Sequence, residues 1–206
     1  MYISKSSSWL EIAGYKIYEW ENAYYLGYNI EKAQFAISNI LTQNVDFTKY
    51  SNPCTYYHIQ VDILIEALGQ ISSRFIPNDR NLQKYEEIKT NNRTSYDFTS
   101  EEYPILYNRK IRNYVTHINE RNIDSIIQHK GLSGFNIVAP HINPEYDKKF
   151  LSPKCSHNTL NLLDNTYYVY NITEEKYESI NLKDLGIELN KLSERNSIIL
   201  DFILNN

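Results

Sequence analysis

The sequence predicts an all-α fold: an antiparallel four-helix bundle with an irregular, β-hairpin-containing insertion before the last helix. Two observations indicate this class. Apolar residues recur at helical spacing in several long segments, and one proline-interrupted stretch with a strand-like run separates the last of them from the others. The chain has 206 residues, of which 42% are hydrophobic. That length and composition fit a single domain over 1–206 with a real core.

The first predicted helix covers 20–43. Its apolar positions step by three and four residues, as one face of a helix requires: Ala23, Leu26, Ile30, Ala33, Ile37 and Ile40. Gly27 lies inside this pattern, which leaves open a kink at the glycine or a helix start near Asn29. The pattern does not decide what residues 9–20 do, and Trp9 and Trp20 are candidates for holding an N-terminal extension.

The second predicted helix covers 55–76 and shows the same stepping: Tyr57, Val61, Leu64, Leu68, Ile71 and Phe75. Pro53 precedes it, where proline is tolerated at a helix start, and Pro77 closes it. The polar stretch from Pro77 to Ser100 is interpreted as a long connection. It is polar and contains the run Asn91-Asn92-Arg93-Thr94-Ser95.

The third predicted helix covers 101–130. Ser100 is its expected N-cap, acidic residues follow in the first turn, and Gly131 suits the position just after the helix. Its apolar face consists of Tyr107, Ile111, Tyr114 and Ile118.

Residues 131–180 form the predicted insertion, because three prolines prevent a continuous helix and 166–172 has the composition of a strand. The last predicted helix covers 182–204 with Asn181 as its N-cap. Its stripe contains Leu182, Leu185, Leu189, Leu192, Ile199 and Phe202, with Asn196 on the same face.

Charge and cysteine usage narrow the function classes. The net charge is −4, which argues against non-specific coating of nucleic acid. No apolar run reaches the ~18 residues of a membrane span, and the first residues lack a secretion signal. Two distant cysteines, Cys54 and Cys155, fit free thiols in a reducing compartment. We therefore expect a cytoplasmic protein with no membrane partner.

The informative segment is 109–121, a basic stretch in an acidic protein. It contains Arg109, Lys110, Arg112 and Arg121 against Glu120 alone. On a helix, Asn113 and His117 lie one turn apart, opposite the apolar face, and Arg112 lies between the two faces. An imidazole can move a proton near neutral pH, and an arginine can bind a phosphate. An asparagine one turn away can orient either the imidazole or the ligand.

Arg112-Asn-Tyr-Val-Thr-His117 resembles the signature of HEPN domains: arginine, a polar residue, three residues, histidine. The resemblance covers about 20–130 and 181–204 and leaves the insertion unexplained. It implies a metal-independent endoribonuclease with RNA as substrate and no cofactor. It also implies a homodimer in which two motif helices form one composite cleft. Many relatives are toxins of toxin–antitoxin pairs or abortive-infection effectors in anti-phage defence, which implies an antitoxin or sensor protein as a partner.

Carried over to this chain, Arg112 and His117 are the catalytic pair and Asn113 their supporter. Arg109, Glu120 and Arg121 are weaker candidates for contacts with RNA, and Glu120 and Arg121 also suit an exposed helix face. Members paired with a nucleotidyltransferase antitoxin have a tyrosine two residues after the histidine. Asn119 stands there, so that mode of control is not assigned.

Three alternatives stay open on the sequence. A non-catalytic HEPN-like bundle could bind a nucleotide or a protein as a regulatory subunit, and the chain could be an unrelated helical protein. A metal site is a third reading, from His141, Cys155 and His157 with His129 or Asp147 as a further ligand, or from the carboxylates Asp62 and Glu66. None of these spacings matches a standard metal pattern, so no metal is expected.

Overall fold

The structure is a computed structural model, and it describes residues 9–42, 53–76, 82–108, 135–138, 158–171 and 174–205. The described part is mostly helical with one small sheet. The helices are α1 (Trp9–Thr42), α2 (Pro53–Phe75), α3 (Leu82–Tyr96), α4 (Pro104–Tyr107) and α5 (Leu182–Asn205). The strands are β1 (Phe135–Val138), β2 (Asn158–Asn161), β3 (Thr166–Asn171) and β4 (Lys176–Asn181).

Helices α1 and α2 pack antiparallel through the apolar faces that the sequence predicts. All twelve predicted face residues of these two helices are buried. Three polar side-chain pairs show that the helices are antiparallel, because the residue numbers of the partners rise along α1 as they fall along α2. These pairs are Asn22 with Arg74, Lys32 with Glu66, and Asn39 with Gln60.

Helix α1 begins earlier than predicted and runs unbroken from Trp9 through Gly27. A helix start near Asn29 is therefore wrong. A Cβ atom at Gly27 would lie 3.0 Å from the Nδ2 atom of Asn196. The glycine thus gives α5 a close approach to α1 rather than breaking the helix.

Helix α5 agrees with the prediction at its start and departs from it near its end. The Asn181 side chain accepts hydrogen bonds from the backbone N–H groups of Lys183 and Asp184, at 3.0 and 3.2 Å. The expected N-cap is thus confirmed. Phe202, predicted on the buried stripe, is 67% exposed. At 3.6 residues per turn, the residue that follows Ile199 on the same face of the helix is Ile203 rather than Phe202.

Asn196 joins three helices at the centre of the structure. Its Nδ2 atom donates to the Ala23 carbonyl of α1 at 3.0 Å, and its Oδ1 atom accepts from the Tyr96 hydroxyl of α3 at 2.7 Å. The asparagine is 3% exposed and Tyr96 is 2% exposed. Since all of these polar groups are removed from water, their mutual hydrogen bonds are needed.

The predicted connection over 77–100 is wrong, because α3 occupies most of it. Three side chains of α3 donate to carbonyl groups at the end of α2, two in its last turn and one just after it, where no helical N–H is available. Lys89 bonds the carbonyl of Ile76, Asn92 that of Arg74, and Arg93 that of Phe75. Helix α3 therefore caps the end of α2 with polar side chains, which its polar composition supplies.

The predicted third helix does not begin at Glu101. Thr99, not Ser100, accepts the backbone N–H of Glu102 at 3.2 Å. Pro104 begins a single helical turn, and Asn108 closes it with extended backbone. The predicted helix over 101–130 is therefore not continuous through its first residues. Tyr107, which was expected on the buried face, is 38% exposed. Residues 109–130 lie outside the described part of the chain.

The predominance of helix is confirmed, and the insertion contains more regular structure than the predicted hairpin, namely a four-stranded sheet in the order β1-β2-β3-β4. Strands β2, β3 and β4 pair antiparallel, and β1 pairs parallel with β2. The predicted strand over 166–172 is confirmed as β3, and the predicted hairpin is present. The backbone N–H of Leu182 donates to the Asn165 carbonyl at 2.8 Å, which ties the β2–β3 turn to the start of α5.

We expect Asn196→Ala to lower the free energy of unfolding by about 1–3 kcal/mol, because it leaves the Tyr96 hydroxyl buried without an acceptor. Chemical denaturation followed by far-UV circular dichroism measures this. Ser197→Ala is the matched control, since Ser197 is exposed on the same helix and its loss should change stability by less than about 0.5 kcal/mol. Equal effects of the two substitutions would contradict a central role for Asn196.

Candidate functional site

The residues predicted to carry catalysis all lie outside the described part of the chain. These are Arg112, Asn113 and His117, with the weaker candidates Arg109, Glu120 and Arg121. Their expected juxtaposition stays a prediction from the sequence. The structure does describe the chain immediately before them, at α4, and the residues that hold α4 in place.

Glu188 of α5 fixes the start of α4. Its carboxylate accepts backbone N–H groups from Ile105 at 2.9 Å and from Leu106 at 2.9 Å, one on each oxygen, with a second contact to Ile105 at 3.2 Å. These are N–H groups of a first helical turn, which no carbonyl within the helix can satisfy. The chain therefore enters segment 109–130 from a defined position beside α5.

Burial raises the pKa of Glu188 above its ordinary value, and the two backbone hydrogen bonds oppose that rise without cancelling it. Burial likewise raises the pKa of the neighbouring Tyr103, with a smaller contribution from the Glu188 charge. Tyr103 is 1% exposed. The carboxylate at the base of α4 is thus held in an environment that disfavours its charge.

A second polar cluster surrounds Arg74 in the last turn of α2. Its guanidinium donates to the Asn22 carbonyl at 3.3 Å and to the Asn22 side-chain oxygen at 2.7 Å. It also lies 5.9 Å from the centre of the Tyr25 ring. Within the described residues its Nε atom is buried without a hydrogen-bond partner. Burial lowers the Arg74 pKa, and the phenols of Tyr18, Tyr96 and Tyr25 oppose this.

The solvent side of α1 next to this cluster is unusually aromatic. Trp20 and Tyr24 stack with ring centres 5.4 Å apart, and Tyr25 meets Tyr24 edge-on. Seven large apolar side chains of α1 are at least 40% exposed: Ile17, Tyr18, Trp20, Tyr24, Tyr25, Tyr28 and Phe35. Trp20 therefore does not serve as a buried clamp. Such a surface suits contact with another molecule.

The metal readings receive no support within the described residues. Glu66 forms an ion pair with Lys32 at 2.8 Å, and Asp62 lies 3.8 Å from His58 on an exposed face. No group of three or more histidine, cysteine and carboxylate side chains in the described ranges is placed to hold a metal ion. The other candidate ligands, His129, His141, Asp147, Cys155 and His157, lie outside these ranges.

Sequence reasoning missed Glu188 and Arg74. Glu188 borders the leucine stripe of α5, so its position on the helix was a signal that could have been noticed. Arg74 gave no signal, because its partners on α1 and α3 are far from it in sequence. Asn196 was placed on the buried face correctly, without its partners.

None of the helices in the described part is both long and apolar enough to cross a membrane. Comparison of the chain with protein-family models, with characterised proteins and with solved structures finds no match.

We expect stability to depend on pH through Glu188. The pKa of Glu188 is higher in the folded protein than in the unfolded chain. Glu188 therefore contributes most to the free energy of unfolding at a pH below its ordinary pKa. The contribution is lost as the pH rises through the raised value. Glu188→Gln cannot ionise, so its stability relative to the wild type should increase over this pH range. Denaturation of both proteins from about pH 4 to 7 measures the difference, and parallel curves would contradict the assignment.

Proposed function

We propose that the protein is a metal-independent endoribonuclease of a toxin or anti-phage defence system, with a HEPN-like helical bundle. The observation that carries this proposal is the Arg112-Asn-x3-His117 pattern in the basic segment 109–121. The residue types suit RNA cleavage, since the ribose 2′-hydroxyl is itself the nucleophile and needs only proton transfer and charge stabilisation.

In the proposed mechanism, His117 takes the proton of the 2′-hydroxyl as that oxygen attacks the adjacent phosphorus. The P–O5′ bond breaks, and the leaving oxygen takes up a proton from the protonated histidine of the composite site. The products are a 2′,3′-cyclic phosphate and a 5′-hydroxyl. Arg112 binds the phosphate and offsets its growing negative charge, while Asn113 orients the imidazole or the ligand.

The described helices support the bundle part of the proposal. Helices α1 and α2 are antiparallel, and so are α1 and α5, since Gln34 pairs with Asn190 at 2.7 Å and Ala23 with Asn196 at 3.0 Å. Segment 109–130 then provides the fourth helix of the proposed bundle. Glu188 holds the entry to this segment next to α5.

The rest of the proposal follows from the resemblance. Two copies of the chain form one composite cleft in a homodimer, and Arg109, Glu120 and Arg121 line it. An antitoxin or sensor protein controls the activity in the cytoplasm. The insertion is proposed as a place for such control because it interrupts the helices directly before α5.

A non-catalytic regulatory bundle is the second candidate. The exposed aromatic side of α1 favours it, because aromatic side chains such as Trp20 and Tyr24 are typical of surfaces that bind proteins or nucleotides. In that case His117 has no chemical role, and its replacement leaves the function intact.

The test is to incubate the wild type, His117→Ala and Arg112→Ala with total RNA and with tRNA in EDTA, and to map the product ends. We expect wild-type cleavage with cyclic phosphate ends and a loss of about 100-fold or more in each variant. His58→Ala is the matched control, because His58 is an exposed histidine on α2. This variant should cleave RNA like the wild type.

Two outcomes oppose the proposal. Cleavage that survives His117→Ala excludes the assigned catalytic histidine. Failure of the wild type to cleave any RNA, together with harmless expression in cells, favours the regulatory bundle.

A further inference from the structure

We propose that the solvent-facing side of α5 is a two-fold interface between two copies of this chain, paired antiparallel. This extends the proposed function, from which the expectation of a homodimer comes, by naming the surface and its register. The α5 face is defined here as Ile187, Lys191, Glu194 and Ile198.

The α5 face has the spacing of a coiled-coil seam and is open to solvent. Its residues step by four, three and four, and at 100° per residue they lie within about 60° of arc. All four are exposed, and Ile187 and Ile198 are 66% and 67% exposed. The buried stripe of α5 is on the other side of the helix, so this seam is not part of the core.

The order of residues along the seam is complementary to itself. A two-fold axis between Leu192 and Ser193 places Ile187 opposite Ile198 of the second copy. The same axis places Lys191 opposite Glu194 of the second copy, and each pair occurs twice. Isologous contacts require this reciprocity. A parallel arrangement instead brings Lys191 to Lys191 and Glu194 to Glu194, which like charges oppose.

Lys191 can serve this contact while keeping its contacts within the chain. It forms an ion pair with Glu102, and its Nζ atom lies 5.3 Å from the centre of the Tyr103 ring. An ammonium group has three donors, so a carboxylate of the second copy can add to the pair. Glu194 is exposed, so Glu194 of the second copy can supply this carboxylate. The ion pair between Lys191 and Glu102 stays intact.

The neighbouring helix enlarges the apolar surface of this layer. A stable interface buries about 800 Å² on each partner, which is more than four side chains supply. Helix α1 lies antiparallel beside α5, and Trp20, Tyr24, Tyr28 and Phe35 are exposed on it. The complementary charges of the α5 face indicate a second copy of the chain as the binding partner. The exposed aromatic residues of α1 then lie at the edge of this interface.

This interface also fits the proposed composite cleft. Lys191 contacts Glu102, and one turn away Glu188 holds Ile105 and Leu106. Each α5 therefore holds the chain just before segment 109–130. A two-fold pairing of α5 helices places both α4 turns on the same side of the dimer.

The first experiment is sedimentation velocity from about 1 to 100 µM, a range that reveals micromolar association. We expect the wild type to dimerise. Glu194→Lys keeps the pair between Lys191 and Glu102 but sets two lysines together, and should weaken association about tenfold or more. The double variant Lys191→Glu/Glu194→Lys, compared in a Glu102→Gln background so that no carboxylate at 102 repels the new one at 191, should restore association to within about threefold, because the exchanged charges again attract.

Glu87→Lys is the matched control, since it makes the same charge change at an exposed position of α3 and should leave association unchanged. Circular dichroism confirms that each variant is folded. A wild type that stays monomeric at every concentration overturns the proposal. A double variant that associates no better than Glu194→Lys also overturns it.

Disulfide formation tests the register in a Cys54→Ser/Cys155→Ser background. Ile187→Cys and Ile198→Cys proteins should cross-link when mixed and oxidised, because the antiparallel register places these positions together. Neither protein alone should cross-link. Self-linking of Ile187→Cys indicates a parallel pair and overturns the register.

All of these measurements are repeated in the His117→Ala chain. An interface that persists in a chain without ribonuclease activity supports the dimer independently of the proposed chemistry. A cleaving wild type without the interface retains the chemistry and removes this inference.

Discussion

The hydrogen-bonded contact of Asn196 with Ala23 and Tyr96 is the constraint on which the described helices depend. A buried amide satisfies a carbonyl of α1 and a hydroxyl of α3 at once, so the spacing of three helices is fixed at one point. Apolar packing alone tolerates sliding, whereas a buried hydrogen bond has one acceptable geometry. Gly27 allows this approach because a side chain there would press on the amide.

Polar side chains perform a second structural task at the helix ends. Helix α3 donates to final carbonyl groups of α2 through Asn92 and Arg93, and to the next carbonyl through Lys89. Glu188 accepts N–H groups from the first turn of α4. Both devices satisfy backbone groups that a helix leaves without partners. Glu188 also connects structure to the proposed chemistry, because the chain that follows α4 carries the motif.

The proposed ribonuclease and the proposed dimer make separate demands on the chain. The chemistry requires an imidazole and a guanidinium in one segment, whereas the dimer requires an exposed seam with reciprocal charges on α5. The α5 face contacts Glu102 next to α4, so the proposed dimer and the proposed chemistry involve neighbouring parts of the chain. The exposed aromatic residues of α1 fit the same picture as the flank of a contact surface, and they also suit a regulatory partner.

The sequence by itself determined α1 beyond Trp20, α2, α5 and the strand β3, because apolar periodicity and caps such as Asn181 are local signals. It also supplied the Arg112 and His117 hypothesis, as a pattern of residue types. Only the tertiary structure decided that 82–96 is a helix, because its side chains bond carbonyl groups at the end of α2 and its buried Tyr96 bonds Asn196. Tertiary contacts likewise placed four strands in a sheet and joined Arg74 to Asn22 and Glu188 to α4. Those partners are distant in the chain, and no local periodicity encodes their meeting.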